Sequence, residues 1–221
     1  MPRSAPRPRP CLPALLSCLT LALAGAARAD APFDYWVLSL SWSPSWCAAE
    51  GDSGSPGAQA QCGPGAGRGF VVHGLWPQYD QGWPEYCAAT APDPTRRDSA
   101  GMADLMGSGG LAFYQWRKHG RCSGLSGRDY YAETRAAAGA VSLPEVFDAI
   151  ARPLRVPVAV IEDAFIETNP GMVRDGITVT CKSGALAEVR ICLDRDLRPR
   201  RCAPDAARDC RSPQLDLPPI R

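Results

Sequence analysis

The sequence predicts an α+β fold, a single domain with an antiparallel sheet, flanking helices and disulfide staples. Three observations carry this. Strand-like alternation stands near both ends of the chain, helix-period apolar spacing fills the middle, and eight cysteines are spread from Cys47 to Cys210. Strands, then helices, then a hairpin is the order of segregated elements rather than of repeated strand–helix–strand units. No internal repeat and no long linker divides residues 30–221, so one domain is expected there.

The elements follow in order. Asp34–Ser41 (DYWVLSLS) has the alternation of a strand beside a core. Residues 48–69, rich in Gly, Ala, Pro, Ser and Gln, read as a surface loop pinned by Cys47 and Cys62. Phe70–Val72 is a short strand that delivers His73, and Pro77–Pro94 reads as a Pro-rich loop. From Ser99 the spacing of Met102, Leu105 and Met106 is helical, with both methionines expected in the core. Leu111–His119 reads as a helix ended by Gly120. Ser126–Val141 and Leu143–Ala151 read as two more, the second with Pro144 in its first turn. Val158–Thr168 places Val160, Ile161, Ala164 and Phe165 on one stripe, and Asn169-Pro170-Gly171 stops it. Gly176–Cys181 and Leu186–Leu193 flank Lys182-Ser183-Gly184 as a hairpin. The Pro-Gln-Leu-Asp-Leu-Pro-Pro tail reads as a loosely packed extension, and the arginines from Arg195 to Arg201, mixed with acids, as solvated surface.

Residues 1–29 read as a secretory signal peptide. An Arg- and Pro-containing start precedes an apolar run from Cys11 to about Ala27, and Ala27-Arg28-Ala29 supplies the small residues of a cleavage site before Asp30. That run, interrupted by Pro13 and Ser17, is short for a membrane span of about 20 residues. An exported protein, periplasmic or extracellular, is expected, monomeric and with no stable membrane association once the signal is removed. Taking Arg3, Arg7, Arg9 and Arg28 from the 24 basic residues leaves 20 against 23 acids, a formal charge of −3. That excludes binding to nucleic acid through a general basic surface; any polyanion site must be local. Export also explains the cysteines. Without Cys11 and Cys18 an even set remains: Cys47, Cys62, Cys87, Cys122, Cys181, Cys192, Cys202 and Cys210. Up to four disulfides fit, whereas no Cys-x-x-Cys pair and no finger-spaced histidine supports zinc. Each closed loop contributes on the order of 3 kcal/mol in the chain-entropy account.

Only two histidines occur, each in a stretch dense in aromatic and basic residues: Phe70-Val71-Val72-His73-Gly74-Leu75-Trp76-Pro77-Gln78 and Phe113-Tyr114-Gln115-Trp116-Arg117-Lys118-His119-Gly120-Arg121-Cys122. On a helix Gln115 and His119 share a face, with Lys118 one spacing away. An imidazole with a pKa of about 6.5 can take a proton from a ribose 2′-hydroxyl while a second, protonated, donates to the leaving 5′-oxygen. A lysine supplies positive charge where a phosphorane gains negative charge, and indoles offer faces for bases. The nucleophile is internal to the substrate, so no metal and no cofactor is called for. Against this stands the plainer account of two histidines hydrogen-bonded in a core.

His73-Gly74-Leu75-Trp76-Pro77 and Trp116-Arg117-Lys118-His119-Gly120-Arg121-Cys122 resemble the two active-site segments of the ribonuclease T2 family, HGLWP and HEWxKHGxC. Trp42-Ser43-Pro44-Ser45-Trp46-Cys47, Trp83-Pro84-Glu85-Tyr86-Cys87 and Glu188-Val189-Arg190-Ile191-Cys192 are family-like as well, so the likeness runs from about Tyr35 to Leu193. The resemblance implies a ribonuclease T2-like catalytic domain over residues 30–221 with single-stranded RNA as substrate and low base specificity. It implies His119 as base and His73 as acid of transesterification, exchanging roles when the 2′,3′-cyclic phosphate is hydrolysed to a 3′-phosphate. It implies Lys118 at the phosphorane and Trp76, with Gln78, beside a base. It further suggests Cys87–Cys122, and Cys181–Cys192 as a hairpin bridge, leaving Cys47–Cys62 and Cys202–Cys210 to proximity and elimination.

One departure matters. Where the family has His-Glu, this chain has Tyr114-Gln115. Glutamine keeps the shape of glutamate but not its charge, and tyrosine can donate to phosphate but carries no imidazolium charge. Arg117 or Arg121 could compensate electrostatically. The competing reading is therefore a weakened or inactive relative that only binds RNA. A disulfide-rich sugar binder using its tryptophans ranks third, since it gives no reason for Lys118 beside His119.

Overall fold

The computed structural model describes Met1, residues 32–50 and residues 56–220; the signal-peptide reading lies outside them. In chain order the elements are β1 (Tyr35–Trp42), α1 (Ser43–Glu50), α2 (Pro56–Cys62), β2 (Phe70–Gln78), α3 (Arg96–Ala100), α4 (Ala103–Met106), α5 (Gly109–Lys118), α6 (Gly127–Gly139), β3 (Leu154–Val156), α7 (Val158–Thr168), β4 (Ile177–Lys182), β5 (Ala185–Leu193) and β6 (Leu215–Leu217). Single 3-10 turns lie at Gly120–Ser123, Glu145–Phe147 and Arg174–Gly176.

β1 is buried along nearly its whole length because it is interior to the sheet. One edge pairs antiparallel with β2 (Val37 opposite Trp76, Leu38 opposite Leu75), the other with β5 (Leu38 opposite Ile191, Leu40 opposite Val189). β4 takes the far edge of β5 through the turn Ser183-Gly184, whose φ values of 52° and 83° give the mirror-image twist that suits a two-residue hairpin. β6 joins at Ala185, the one parallel contact among the described strands, and β3 closes the order. The expectation of an antiparallel sheet with helices therefore holds, with that single exception. β2 continues past His73 through Gly74 and Pro77. At the sheet edge a proline costs no ladder hydrogen bond on its open side.

Four expectations are corrected. Residues 48–69 are not all loop, since α1 and α2 form there and the Cys47–Cys62 bridge joins them. The helix from Ser99 is two pieces, α3 and α4, parted at Gly101–Met102, with Met102 and Met106 both buried. Leu143–Ala151 forms one 3-10 turn, anchored by buried Phe147 and Ile150; Pro153 disfavours helical backbone in the residue before it. The tail is not loose: Leu215 and Leu217 are buried in β6, and the Trp42 indole donates to Pro218 O at 3.2 Å. α6 and α7 lie where the sequence puts them, α6 starting at Ser126, whose side chain caps Asp129 N.

The disulfides also depart from expectation. Cys47–Cys62 and Cys87–Cys122 form, but Cys181 pairs with Cys210 and Cys192 with Cys202. Register is the reason. Cys181 faces Leu186 next to the turn, whereas Cys192 follows Ile191, which faces Ile177 at the other end of the hairpin. That offset is six residues on β5, roughly 20 Å along the strands, well beyond the ~7 Å that a disulfide spans between Cα atoms. The chain after β5 instead runs back along β4: Cys202 N donates to Asp175 O and Cys210 N to Val179 O, each at 2.7 Å. Each corrected pair thus has its Cα atoms 5.3–5.4 Å apart. Non-reducing peptide mapping is expected to find Cys181 with Cys210. Leu215→Ala should lower unfolding free energy by about 2–5 kcal/mol in a urea titration, as for other fully buried leucines.

Candidate active site

Three elements converge on one cleft of about 390 Å³. β2 contributes His73, Trp76 and Gln78, α5 with its C-cap contributes Tyr114, Gln115, Lys118 and His119, and β5 contributes Glu188 and Arg190. All seven residues singled out in the two motifs thus line the same space. The Cys87–Cys122 bridge and the hydrogen bond from Tyr86 N to Lys118 O (2.7 Å) fasten the end of α5 to the loop after β2.

The Trp76 indole organises the cleft. Its Nε1 donates to Gln115 Oε1 at 2.9 Å, its ring stacks on His119 (5.1 Å, 29°), and the His73 ring stands edge-on to it at 5.9 Å. The motif glycine makes this possible. A Cβ at Gly74 would lie 2.6 Å from both Gln115 Oε1 and Trp76 Nε1, in the path of their bond. Gly120 is equally constrained, since a Cβ there would sit 2.4 Å from the Trp116 ring. Gln115 is almost wholly buried, and its role as acceptor needs an oxygen, not a charge. Tyr114 is half-exposed, its hydroxyl 3.3 Å from that of Tyr86.

His73 is held from behind. Its Nδ1 is 2.8 Å from Glu188 Oε1 and 2.9 Å from Ser41 Oγ, so Nε2 is the nitrogen left for chemistry. Glu188 Oε2 in turn accepts from Arg190 Nε (2.9 Å) and Nη2 (2.6 Å), and the Arg190 guanidinium lies 5.0 Å from the Trp76 ring. Burial alone would push the Glu188 carboxyl up, but the hydrogen bond from His73 and the charges of His73 and Arg190 outweigh it and hold it down to about 2. His119 is the opposite case. Burial, then the positive charges of Lys118, His73 and Arg190, push its imidazole down to about 3, so it is neutral at any ordinary pH. Its Nδ1 is buried without a hydrogen-bond partner, and the residue lines the cleft. Lys118 Nζ lies 3.3 Å from Glu85 Oε1, which also accepts from Trp83 Nε1 at 3.2 Å.

Arg121 does not compensate for the missing family charges. Asp93 holds it in a bidentate pair with contacts of 2.7–3.1 Å, outside the cleft. The guanidinium that does line the cleft is Arg190. Ser41, Glu188, Arg190 and Glu85 are the residues that sequence reasoning passed over as site residues. One signal was available: Glu188 and Arg190 are two apart on a strand and so share a face, which is unusual for an opposite-charge pair inside a buried hairpin.

A family model described as the ribonuclease T2 family matches residues 33–202. This chain belongs to that family. It is 42% identical over 99 residues to a ribonuclease of Aeromonas hydrophila, covering 45% of this chain and 42% of that one. It is 34% identical over 126 residues to a Haemophilus influenzae protein named a probable ribonuclease, covering 53% and 46% respectively. The matched segments thus span under half the length of these two relatives. Among solved structures, an RNase-related protein from Calystegia sepium superimposes with a TM-score of 0.67 at 21% identity, over 86% of this chain and 98% of that one. The α+β fold of this T2 chain is the one those structures share.

Two outcomes follow from the geometry. Gly74→Ala should displace Trp76 or Gln115 and quench or shift indole fluorescence in the folded protein. Acid should weaken the fold through this site. Between its ordinary 6.5 and about 3, His119 takes up a proton in the unfolded chain but not in the fold, so stability falls as pH drops through that window. Glu188 acts in the same direction: the stability it contributes is present above its ordinary 4.5 and is lost as pH falls towards 2. Urea unfolding at about pH 7 and about pH 4 should therefore show a smaller loss on acidification for His119→Asn than for the parent.

Proposed function

We propose that this T2 chain is an exported endoribonuclease that cleaves single-stranded RNA by transesterification without a metal, through a 2′,3′-cyclic phosphate and with little base specificity. The observation that carries the reading is the pairing of a neutral buried His119 with a carboxylate-backed His73 around one indole, in a cleft that also holds Lys118. The four disulfides suit export from Asp30 onward into an oxidising compartment, periplasmic or extracellular. No helix among the described residues is long and apolar enough to cross a membrane.

In the first step neutral His119 takes the proton of the ribose 2′-hydroxyl. The 2′-oxygen attacks phosphorus, the P–O5′ bond breaks, and protonated His73 gives its proton to the departing 5′-oxygen. The products are a 2′,3′-cyclic phosphate and a 5′-hydroxyl. His119 is then protonated and His73 neutral, the starting state for hydrolysis. His73 now takes a proton from water, the hydroxide adds to phosphorus, and His119 protonates the leaving 2′-oxygen to give a 3′-phosphate. Lys118 and Arg190 supply fixed positive charge where the equatorial oxygens of the phosphorane gain negative charge. Burial first, and then positive charges that include these two cations, depress His119; a bound phosphate offsets the charges and raises its basicity when a base is needed. Trp76, Gln78 and Tyr114 border the bound nucleotide.

Gln115 is compatible with turnover. Its acceptor oxygen keeps the indole in place, as a glutamate would, and what it lacks is a negative charge near the phosphorane. The test uses oxidised Asp30–Arg221 and single-stranded RNA in excess EDTA, with product ends read by mass spectrometry. Transient 2′,3′-cyclic phosphate ends are expected, with a loss of about 10²–10⁴-fold on His119→Ala or His73→Ala, the range for removing a general acid or base. RNA binding without cleavage would establish the non-catalytic relative instead.

A further inference from the structure

Two fixed cations line the reactive cleft, Lys118 and Arg190, and each already faces a carboxylate. The two pairs differ in kind. Arg190 grips Glu188 through two nitrogens, at 2.6 and 2.9 Å, and the Glu188 side chain is only 12% exposed. Lys118 Nζ meets Glu85 Oε1 in one 3.3 Å contact, and the two side chains are 27% and 33% exposed. In this second pair the carboxylate is the stationary partner. Glu85 rides on the segment from Tyr79 to Cys87, which is pinned on both sides. On one side Arg200 donates to Asp80 at 3.0 Å and Gly82 N donates to Asp205 Oδ2. On the other, Tyr86 N donates to Lys118 O at 2.7 Å and Cys87 is bonded to Cys122. The Trp83 indole holds the same Glu85 Oε1 at 3.2 Å. Lys118 carries its ammonium on a flexible four-carbon stem, so the lysine is the partner that can turn away.

We propose that Glu85 is a built-in competitor for Lys118: its carboxylate stands in for phosphate in the empty cleft and lowers the affinity of the cleft for polyanions. The inference rests on the reading of Lys118 as the cation that meets the phosphorane oxygens. A carboxylate and a phosphate offer an ammonium the same kind of anionic oxygen, and they repel each other when they share one. An ammonium already facing Glu85 therefore gains less from a phosphate than a free one does. A single, partly exposed ion pair is weak enough to give way to RNA. The buried two-point pair of Arg190 is not, because losing its partner would leave Glu188 desolvated and unpaired. Glu85 is thus a positioning residue that acts through Lys118. The same competition applies to the 3′-phosphate of a cleaved product and shortens its stay in the cleft.

The experiment measures binding, not cleavage, with a fluorescent single-stranded oligodeoxynucleotide, which lacks the 2′-hydroxyl and is not cut. Oxidised Asp30–Arg221 is titrated by anisotropy from about 50 to about 200 mM salt. Glu85→Gln, which keeps an acceptor oxygen for Trp83, should lower Kd about fivefold at the low-salt end. It should also steepen the fall of log affinity with log salt by about 0.7, the increment for one more neutralised phosphate on a single strand. Glu85→Ala should share both changes, since charge and not the Trp83 hydrogen bond is responsible. With Lys118→Gln in the background, Glu85→Gln should change Kd less than twofold and leave the slope where it was. An unchanged or weaker affinity in Glu85→Gln overturns the proposal. Equal tightening with and without Lys118 overturns it too, because it would mark a general charge effect. If parent and variants alike fail to bind the strand, the reading of the cleft as a polyanion site falls and the competitor falls with it; a parent that binds and a Glu85→Gln that binds no better removes the competitor alone.

Discussion

The hydrogen bond from the Trp76 indole to Gln115 is the contact on which the cleft depends. It joins the edge strand β2 to helix α5, two elements that share no ladder, and it does so through a gap that only a glycine at position 74 leaves open. With the indole fixed, its face packs on His119 and its edge meets His73, so one ring sets the placement of both imidazoles. This explains why the two sequence segments carry aromatic residues among their charged ones. The aromatic rings are the frame, and the titratable groups hang from it.

Electrostatics then separates two chemically identical side chains. His73 has a buried carboxylate behind it, itself held by Arg190, and this engages Nδ1 and leaves Nε2 as the other ring nitrogen. His119 has no carboxylate, only burial and neighbouring cations, which keep it neutral. Such opposite environments suit the opposite roles that the proposed general acid–base mechanism gives the pair. The replacement of glutamate by Gln115 fits this arrangement. A buried acceptor is retained where geometry needs one, and Glu188 already supplies the negative charge on the other side of the indole.

Around the site, long irregular segments are held by covalent links rather than by secondary structure. Cys87–Cys122 anchors the loop after β2 to the end of α5, while Cys192–Cys202 and Cys181–Cys210 pin the return of the chain along β4. That return brings Asp205 and Ala206 to the wall of the reactive cleft. The tail then contributes β6 and two buried leucines, so the chain beyond the motifs is part of the scaffold that positions them.

By itself the sequence determined the elements whose pattern is local. β1, α6, α7 and the β4–β5 hairpin lie where periodicity and turn residues put them, and the seven motif residues were legible because residue type and short spacing mark them. The short helices α1 and α2, built largely of small and polar residues, escaped notice because their composition lacks an apolar stripe, and β3 and β6 because three-residue strands exist only through their partners. Tertiary structure alone decided the cysteine partners. The family resemblance suggested Cys181 with Cys192 as a hairpin bridge, but antiparallel register set them at opposite ends of the hairpin. It also decided that Ser41, Glu188 and Arg190 belong to the site, because strand pairing, which no local pattern encodes, carries them across the sheet to His73 and Trp76.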